Sequence, residues 1–142
     1  MKIILDTNVI SELIQPMGSS VIREWLASQK GASLYTTSIT QAEILYGIQI
    51  LPEGKRRQKL LDGASIVFEH YLPERIVAFD RKAAELYSQI AAYRRQLGRP
   101  ISQFDAQIAA ICRVQQATLA TRNIRDFLDC GIELVNPWEP KL

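Results

Sequence analysis

The sequence contains little cysteine and histidine and no long apolar run. Cys112 and Cys130 are its two cysteines, with no CxxC pair, among 142 residues. A chain of this length buries roughly two-thirds of its unfolded surface, so its fold does not require a disulfide. No apolar stretch approaches the ~20 residues that span a bilayer, and Asp6 interrupts the apolar start too early for a secretory leader. We therefore expect reduced thiols in a cytoplasmic protein.

Glycine and proline are also sparse, with seven and six residues scattered along the chain. They form no linker, and no repeat or low-complexity tract is present. The sequence therefore predicts one domain over residues 1–142. The net charge of +2 is only mildly basic, which permits binding to a polyanion without arguing strongly for it.

Short apolar segments alternate with helical patterns along the whole chain. Strands are predicted at residues 3–5, 33–37, 75–79, 118–121 and 132–135. Helices are predicted from the Asp6-Thr7-Asn8 turn to near Pro16, and over 20–30, 38–51, 55–67, 81–97 and from Ser102 onward. This alternation favours an α/β fold, with a central, mostly parallel sheet flanked by helices on both faces.

Three carboxylates lie where the connections of such a sheet converge. Asp6 follows the first strand, Glu43 lies in the first turns after the second, and Asp105 opens the helix before the fourth. Each also has a local explanation, since Asp6 can cap a helix, and Thr40 with Glu43 and Ser102 with Asp105 fit the capping-box spacing. The two roles are compatible if the three carboxylates converge.

Converging carboxylates repel one another unless a cation lies between them. Mg²⁺ and Mn²⁺ prefer oxygen ligands, and such an ion can activate water for attack on a phosphodiester. This chemistry needs no histidine base. His70, the single histidine, is expected at a surface or interface.

Four segments occur in order along the chain, namely LDTNVISE (5–12), TSITQAEILYG (37–47), FDAQIAA (104–110) and ATRNIRDF (120–127), and VNPW (135–138) follows them. The four resemble the ordered motifs of PIN-domain ribonucleases, specifically VapC-type toxins of type II toxin–antitoxin systems, and the ending resembles the branch that includes FitB. The resemblance implies a single PIN-like domain and an endoribonuclease whose Mg²⁺ or Mn²⁺ is held chiefly by Asp6 and Asp105. Glu43 completes the implied acidic pocket.

The fourth pocket residue is left open by the sequence. Some relatives carry an acid where this chain has Asn123, and Asp126 follows three residues later. Asn123 is favoured for the pocket, whereas Asp126 could instead cap or pair with a neighbouring arginine. Thr7, Asn8 and Thr40, like Asp126, are candidates for orienting the metal ligands, and the two threonines could equally cap helices.

The resemblance also implies an RNA substrate, a VapB-like antitoxin that covers the pocket, and a homodimer. Residues that could guide a phosphate backbone are Lys55, Arg56, Arg57, Lys59, Arg94, Arg95 and Arg99. Because Asn123 replaces a possible acid, a catalytically silent PIN fold that binds RNA or protein is the alternative. An aspartyl phosphatase and a nucleotide switch are disfavoured, since neither Asp-x-Asp after the first strand nor a glycine-rich phosphate loop occurs.

Overall fold

The computed structural model describes residues 1–15 and 18–139. Its five strands are β1 (Lys2–Leu5), β2 (Ser33–Thr37), β3 (Ile76–Val77), β4 (Thr118–Ala120) and β5 (Leu134–Val135). They form one sheet in the order β3-β2-β1-β4-β5, and every neighbouring pair is parallel. The predicted α/β class with a parallel sheet is confirmed.

Helices connect the strands. They are α1 (Thr7–Ile14), α2 (Ser20–Ser28), α3 (Ser38–Gln49), α4 (Lys55–Ser65), α5 (Arg81–Gln96) and α6 (Gln103–Gln115). A 3₁₀ turn follows β4 at Ile124–Phe127. Pro16, near which the first helix was predicted to end, lies outside the described residues.

The alternation of side chains along β1 divides the core between the two faces of the sheet. Ile3 and Leu5 belong to a cluster that includes buried residues of α1, α2 and α4. Ile4 points the other way and packs with Leu119 and with buried residues of α5 and α6. Both faces are therefore covered by helices, as a buried parallel sheet requires.

Several elements differ in length from their prediction. The strand predicted over 132–135 is reduced to the two residues of β5 at the other sheet edge. The helix predicted over 55–67 continues from α4 into a π-helical segment at Ile66–Tyr71, which buries Val67 and Phe68. The strand predicted over 75–79 is reduced to the two residues of β3, which pair only with β2 at the sheet edge. Tertiary packing and the edge position set these limits, and neither is encoded by local periodicity.

Hydroxyl and carboxylate caps start three of the helices. The Asp80 carboxylate accepts the Ala83 N–H at 2.9 Å at the start of α5, as predicted. The Thr37 hydroxyl accepts the Thr40 N–H at 3.0 Å, so Thr37, and not Thr40, caps α3. The prediction of a Thr40 capping box is therefore wrong, and the Thr40 hydroxyl instead contacts the Thr7 hydroxyl.

Two further expectations concern the state of the cysteine thiols and the absence of a membrane-spanning helix. Cys112 and Cys130 are both buried and free, and burial raises the pKa of both thiols. Among residues 1–15 and 18–139, no helix has both the length and the apolar character needed to cross a membrane.

Candidate active site

Asp6 lies at the point where β1 passes into α1. Its backbone N–H continues the β1–β4 ladder by donating to the Ala120 carbonyl at 2.9 Å. The carboxylate is almost fully buried, with 4% of the residue exposed, and does not cap α1. Instead its Oδ2 accepts the Thr121 hydroxyl at 2.7 Å, directly after β4. Asp6 is therefore fixed between the ends of two adjacent strands.

Thr121 has all of its hydrogen-bonding capacity satisfied around Asp6. Its hydroxyl donates to Asp6 and accepts from the Asn8 side-chain amide at 3.4 Å and from the Asn123 N–H at 3.0 Å. The Asn8 Oδ1 in turn accepts the Arg122 N–H at 3.3 Å. Asn8 thus holds the loop that carries Thr121. Sequence reasoning did not single out Thr121, although a polar residue directly after a central parallel strand is a usable signal.

Glu43 reaches the same edge of the sheet from α3. Its Oε1 accepts the Thr7 hydroxyl at 3.1 Å, and the Thr7 and Thr40 hydroxyls lie 3.0 Å apart. Thr40 is fully buried, so its hydroxyl depends on this contact for a partner. Thr7, predicted to orient a carboxylate, contacts Glu43, and Thr40 supports that threonine.

Asp105 lies in the first turn of α6. The Ser102 hydroxyl accepts the Asp105 N–H at 3.2 Å, so the predicted N-cap at Ser102 is present. A carboxylate in the first turn is stabilised by the helix dipole. The charge of Asp105 also acts on Asp6 and Glu43, so the start of α6 lies near both. The helix start that Ser102 caps therefore also carries the candidate site residue Asp105.

The carboxylates influence one another electrostatically. The pKa of Asp6 is raised, and burial is the largest cause. Hydrogen bonds from the Thr121 hydroxyl and the Thr7 backbone oppose this rise, and repulsion from Asp105 and Asp126 adds to it. Burial likewise raises the pKa of Glu43, against the Thr7 hydrogen bond, with added repulsion from Asp6 and Asp105. We call Asp6, Glu43, Asp105 and Asp126 the acidic cluster.

Asp126 belongs to this cluster through its charge. Burial raises the pKa of Asp105, the Ser102 hydroxyl opposes that rise, and repulsion from Asp126 adds to it. Among residues 1–15 and 18–139, Asp126 forms no ion pair with Arg122 or Arg125, so the alternative of local pairing is wrong. Asn123 is exposed and contributes its backbone N–H to Thr121, while its place in the pocket stays a prediction.

Arg94 holds the segment that carries Asp126. The side chain was predicted to be available to a phosphate backbone, but the residue is only 5% exposed. Its guanidinium donates to the carbonyls of Asp126 at 2.8 Å, Leu128 at 3.0 Å and Arg99 at 2.8 Å. That prediction is therefore wrong for Arg94, because three backbone acceptors occupy its donors. Its positive charge also opposes the rise in the pKa of Asp105.

The donors of the acidic cluster suit a hard divalent cation. All are oxygen atoms, and Asp6, Glu43 and Asp105 are buried or partly buried and repel one another, which a cation would relieve. In the described part of the chain, no three carboxylate, histidine or cysteine side chains converge closely enough to enclose an ion by themselves. Mg²⁺ commonly needs only one or two carboxylates, with water filling its other positions. The residues present therefore fit such an ion.

Comparison with known proteins identifies the family. The model of the PIN domain matches residues 3–131. This chain belongs to the PIN-domain family. The PIN domain is 36% identical to VapC ribonuclease Y4jK of Sinorhizobium fredii, over 97% of this chain and 99% of that protein. It is 34% identical to Toxin FitB of Neisseria gonorrhoeae, over 96% and 98% of the two chains.

A solved structure has the same fold. In a FitAB complex bound to a DNA fragment, one chain superposes on this PIN domain with a TM-score of 0.85 and 34% sequence identity. The superposition covers 99% of this chain and 98% of that one. These likenesses place the PIN domain among the VapC-type toxins, in the branch that includes FitB, and confirm the family identified from the motifs.

Proposed function

We propose that this PIN domain, a single domain over residues 1–142, is an endoribonuclease toxin that cleaves RNA phosphodiester bonds with Mg²⁺ or Mn²⁺. The acidic cluster carries this proposal. Its four carboxylates come from the end of β1, from α3, from α6 and from the turn after β4, and their charges act on one another at one edge of the sheet. The ribonuclease name of the relative Y4jK supports the same activity.

Asp6 and Asp105 are the residues that would chiefly hold the ion, with Glu43 completing the site. When bound, the ion would lower the pKa of a water molecule and neutralise charge that develops on the phosphate oxygens. We assign the fourth acidic position to Asp126, because its charge acts on both Asp6 and Asp105. Asn123, favoured by the sequence motif, becomes a residue that holds Thr121 through its backbone.

The surrounding residues orient these carboxylates. Thr121 fixes one oxygen of Asp6, Thr7 fixes one oxygen of Glu43, and Arg94 anchors the backbone of Asp126. Such hydrogen bonds reduce the motion of acidic side chains that would otherwise move apart under their mutual repulsion. These contacts therefore hold the carboxylates in positions where a divalent ion can bind them.

We further propose that a VapB-like antitoxin neutralises this PIN domain in the cytoplasm and that the toxin forms a homodimer. An antitoxin arginine inserted among the carboxylates would satisfy their charge in place of metal. One solved relative in this branch is a FitAB complex, which supports a paired antitoxin.

RNA cleavage by the antitoxin-free protein tests the proposed function. Purified wild type is incubated with total bacterial RNA in Mn²⁺, in Mg²⁺ or in EDTA, beside Asp6→Asn and the matched control Glu53→Gln, which changes an exposed acid outside the cluster. We expect discrete fragments with metal for wild type and Glu53→Gln, and none for Asp6→Asn. RNA that stays intact but is bound would support the catalytically silent binding module instead.

A further inference from the structure

A polar cavity lies beside the acidic cluster, between the loop after β4 and the C-terminal segment. Its volume is about 690 Å³, which is within the range of ~300–1,000 Å³ that is typical of small-ligand pockets. Residues of the two segments line it, among them Arg122, Arg125, Asn136 and Trp138. We call it the Trp138 cavity.

The cavity is adjacent to the acidic cluster. Asp126 lines its wall, and the charge of the same carboxylate acts on Asp6 and Asp105. Arg122 directly follows Thr121, whose hydroxyl holds Asp6. A polymer whose backbone lies against the acidic cluster would therefore place a neighbouring unit in the Trp138 cavity.

An arginine and a tryptophan contact each other in this cavity. The Arg122 guanidinium lies over the Trp138 ring at 4.9 Å from the centroid. The Asn136 Oδ1 accepts the Trp138 backbone N–H at 2.9 Å and so fixes the start of the turn that carries the ring. Planar guanidinium and indole groups stack on nucleobases irrespective of base identity.

The remaining lining fits a base better than a phosphate. The cavity wall has no excess of positive charge, because the carboxylates of Asp126 and Glu139 balance the two charges of Arg122 and Arg125. Asn123 adds an amide group with donors and an acceptor, and Asn136, whose Oδ1 accepts the Trp138 backbone N–H, adds amide donors. Donors and acceptors beside Arg122 and Trp138 match the edge of an unpaired base.

We propose that the Trp138 cavity binds an unpaired RNA base next to the phosphodiester that is cleaved at the acidic cluster. This inference rests on the proposed function for the identity of the polymer. It assigns base stacking to Arg122 and Trp138, and base-edge contacts to the asparagines. Single-stranded RNA with an unstacked base is therefore preferred over duplex RNA.

Binding of RNA in the absence of cleavage tests this subsite. The probe is a fluorescein-labelled pool of random 12-nucleotide RNA, titrated with protein in EDTA and read by fluorescence anisotropy. We expect Arg122→Ala and Trp138→Ala each to weaken binding at least about fivefold, because one stacking surface is lost. Trp138→Phe, which keeps an aromatic face, should stay within about threefold of wild type.

Charge and folding effects are separated by matched variants. Arg81→Ala removes an exposed arginine of α5 outside the cavity and should bind like wild type. Arg122→Lys keeps the charge but loses the planar group, so it should bind as weakly as Arg122→Ala. Trp138 also packs against the core, so its replacement could unfold the protein, and thermal melting of each variant measures this. Arg122 is exposed, so its variants test the subsite without disturbing core packing.

The outcomes distinguish this inference from the proposed function. Equal affinity of wild type, Arg122→Ala and Trp138→Ala, or recovery of full affinity by Arg122→Lys, would overturn the base subsite even if the wild type cleaves RNA with metal. Weakened binding in Arg122→Ala with no metal-dependent cleavage by the wild type would retain the subsite and reject the nuclease.

Discussion

The Thr121 hydroxyl is the closest side-chain partner of the buried Asp6 carboxylate, at 2.7 Å. Replacing Thr121 with valine preserves the shape of the side chain but removes the donor. Because hydrogen bonds that orient metal ligands are commonly worth ~10–100-fold, we expect Thr121→Val to lower metal-dependent cleavage by that factor. Initial rates at saturating Mn²⁺ measure the effect. Thr118→Val, at the start of the preceding strand β4, is the control, and equal rates for both variants would contradict this role.

Arg94 is expected to matter for stability as well as for placing Asp126. Arg94→Met leaves three part-buried backbone carbonyls without their donor, and a hydrogen bond from a charged group is worth about 1.5–3 kcal/mol. We expect the free energy of unfolding to fall by about 2 kcal/mol or more in urea denaturation. Arg95→Met, at the exposed neighbouring position, should change it little. Similar losses in both variants would show that the buried contacts of Arg94 are not responsible.

The sequence could predict some of these residues and not others. Asp6 and Asp105 could be predicted as candidates because, in a parallel sheet, the residues beside the ligand crevice follow strands or begin helices. The partnership of Asp6 with Thr121 joins positions 115 apart, so it depends on which strands are neighbours in the sheet. Arg94 looked like a surface cation, although its place four residues after buried Ile90 was a signal that it faces inward.

At the scale of elements, the contact of α1 with α4 depends on Gly63. A Cβ built there would lie 2.6 Å from the Ile14 carbonyl oxygen, whereas one on Gly47 in α3 meets nothing within 4 Å. We expect Gly63→Ala to destabilise the fold by about 1–3 kcal/mol through overpacking. Gly47→Ala should stabilise it by about 0.5–1 kcal/mol through helix propensity. Chemical denaturation measures both, and a stabilising Gly63→Ala would show that the two helices can separate freely.

Element positions were predicted better than element ends. All five strands were located because apolar segments bounded by turn residues are local features. The two-residue length of β3 reflects its place at the sheet edge, and the π-helical segment after α4 reflects burial of Val67 and Phe68. Both depend on packing partners far away in sequence, so local periodicity cannot define them.

At the scale of the whole molecule, the acidic cluster makes the metal-free fold sensitive to pH. The pKa values of Asp6, Glu43 and Asp105 are raised in the folded chain, so above about pH 4 the folded state holds more protons than the unfolded state. Stability contributed by these groups is present at low pH and is lost as the pH rises through the raised values.

Urea denaturation in EDTA between pH 4 and pH 8 measures this linkage. Relative to the double variant Asp6→Asn with Asp105→Asn, the wild type should lose stability as the pH rises, since only the wild type must ionise the buried Asp6 and the partly buried Asp105. Saturating Mg²⁺ should reduce the loss by binding the ionised folded state. Parallel pH curves for the two proteins in EDTA would contradict the raised pKa values.

The most direct test of the central claim is calorimetric titration of Mn²⁺ into the antitoxin-free protein without RNA. If the acidic cluster is the metal site of this PIN domain, the wild type and Glu53→Gln bind Mn²⁺ with the same affinity. Asp6→Asn and Asp105→Asn should each bind at least about tenfold more weakly, because each removes a ligand from one site. Unchanged Mn²⁺ affinity in both cluster variants would contradict the account.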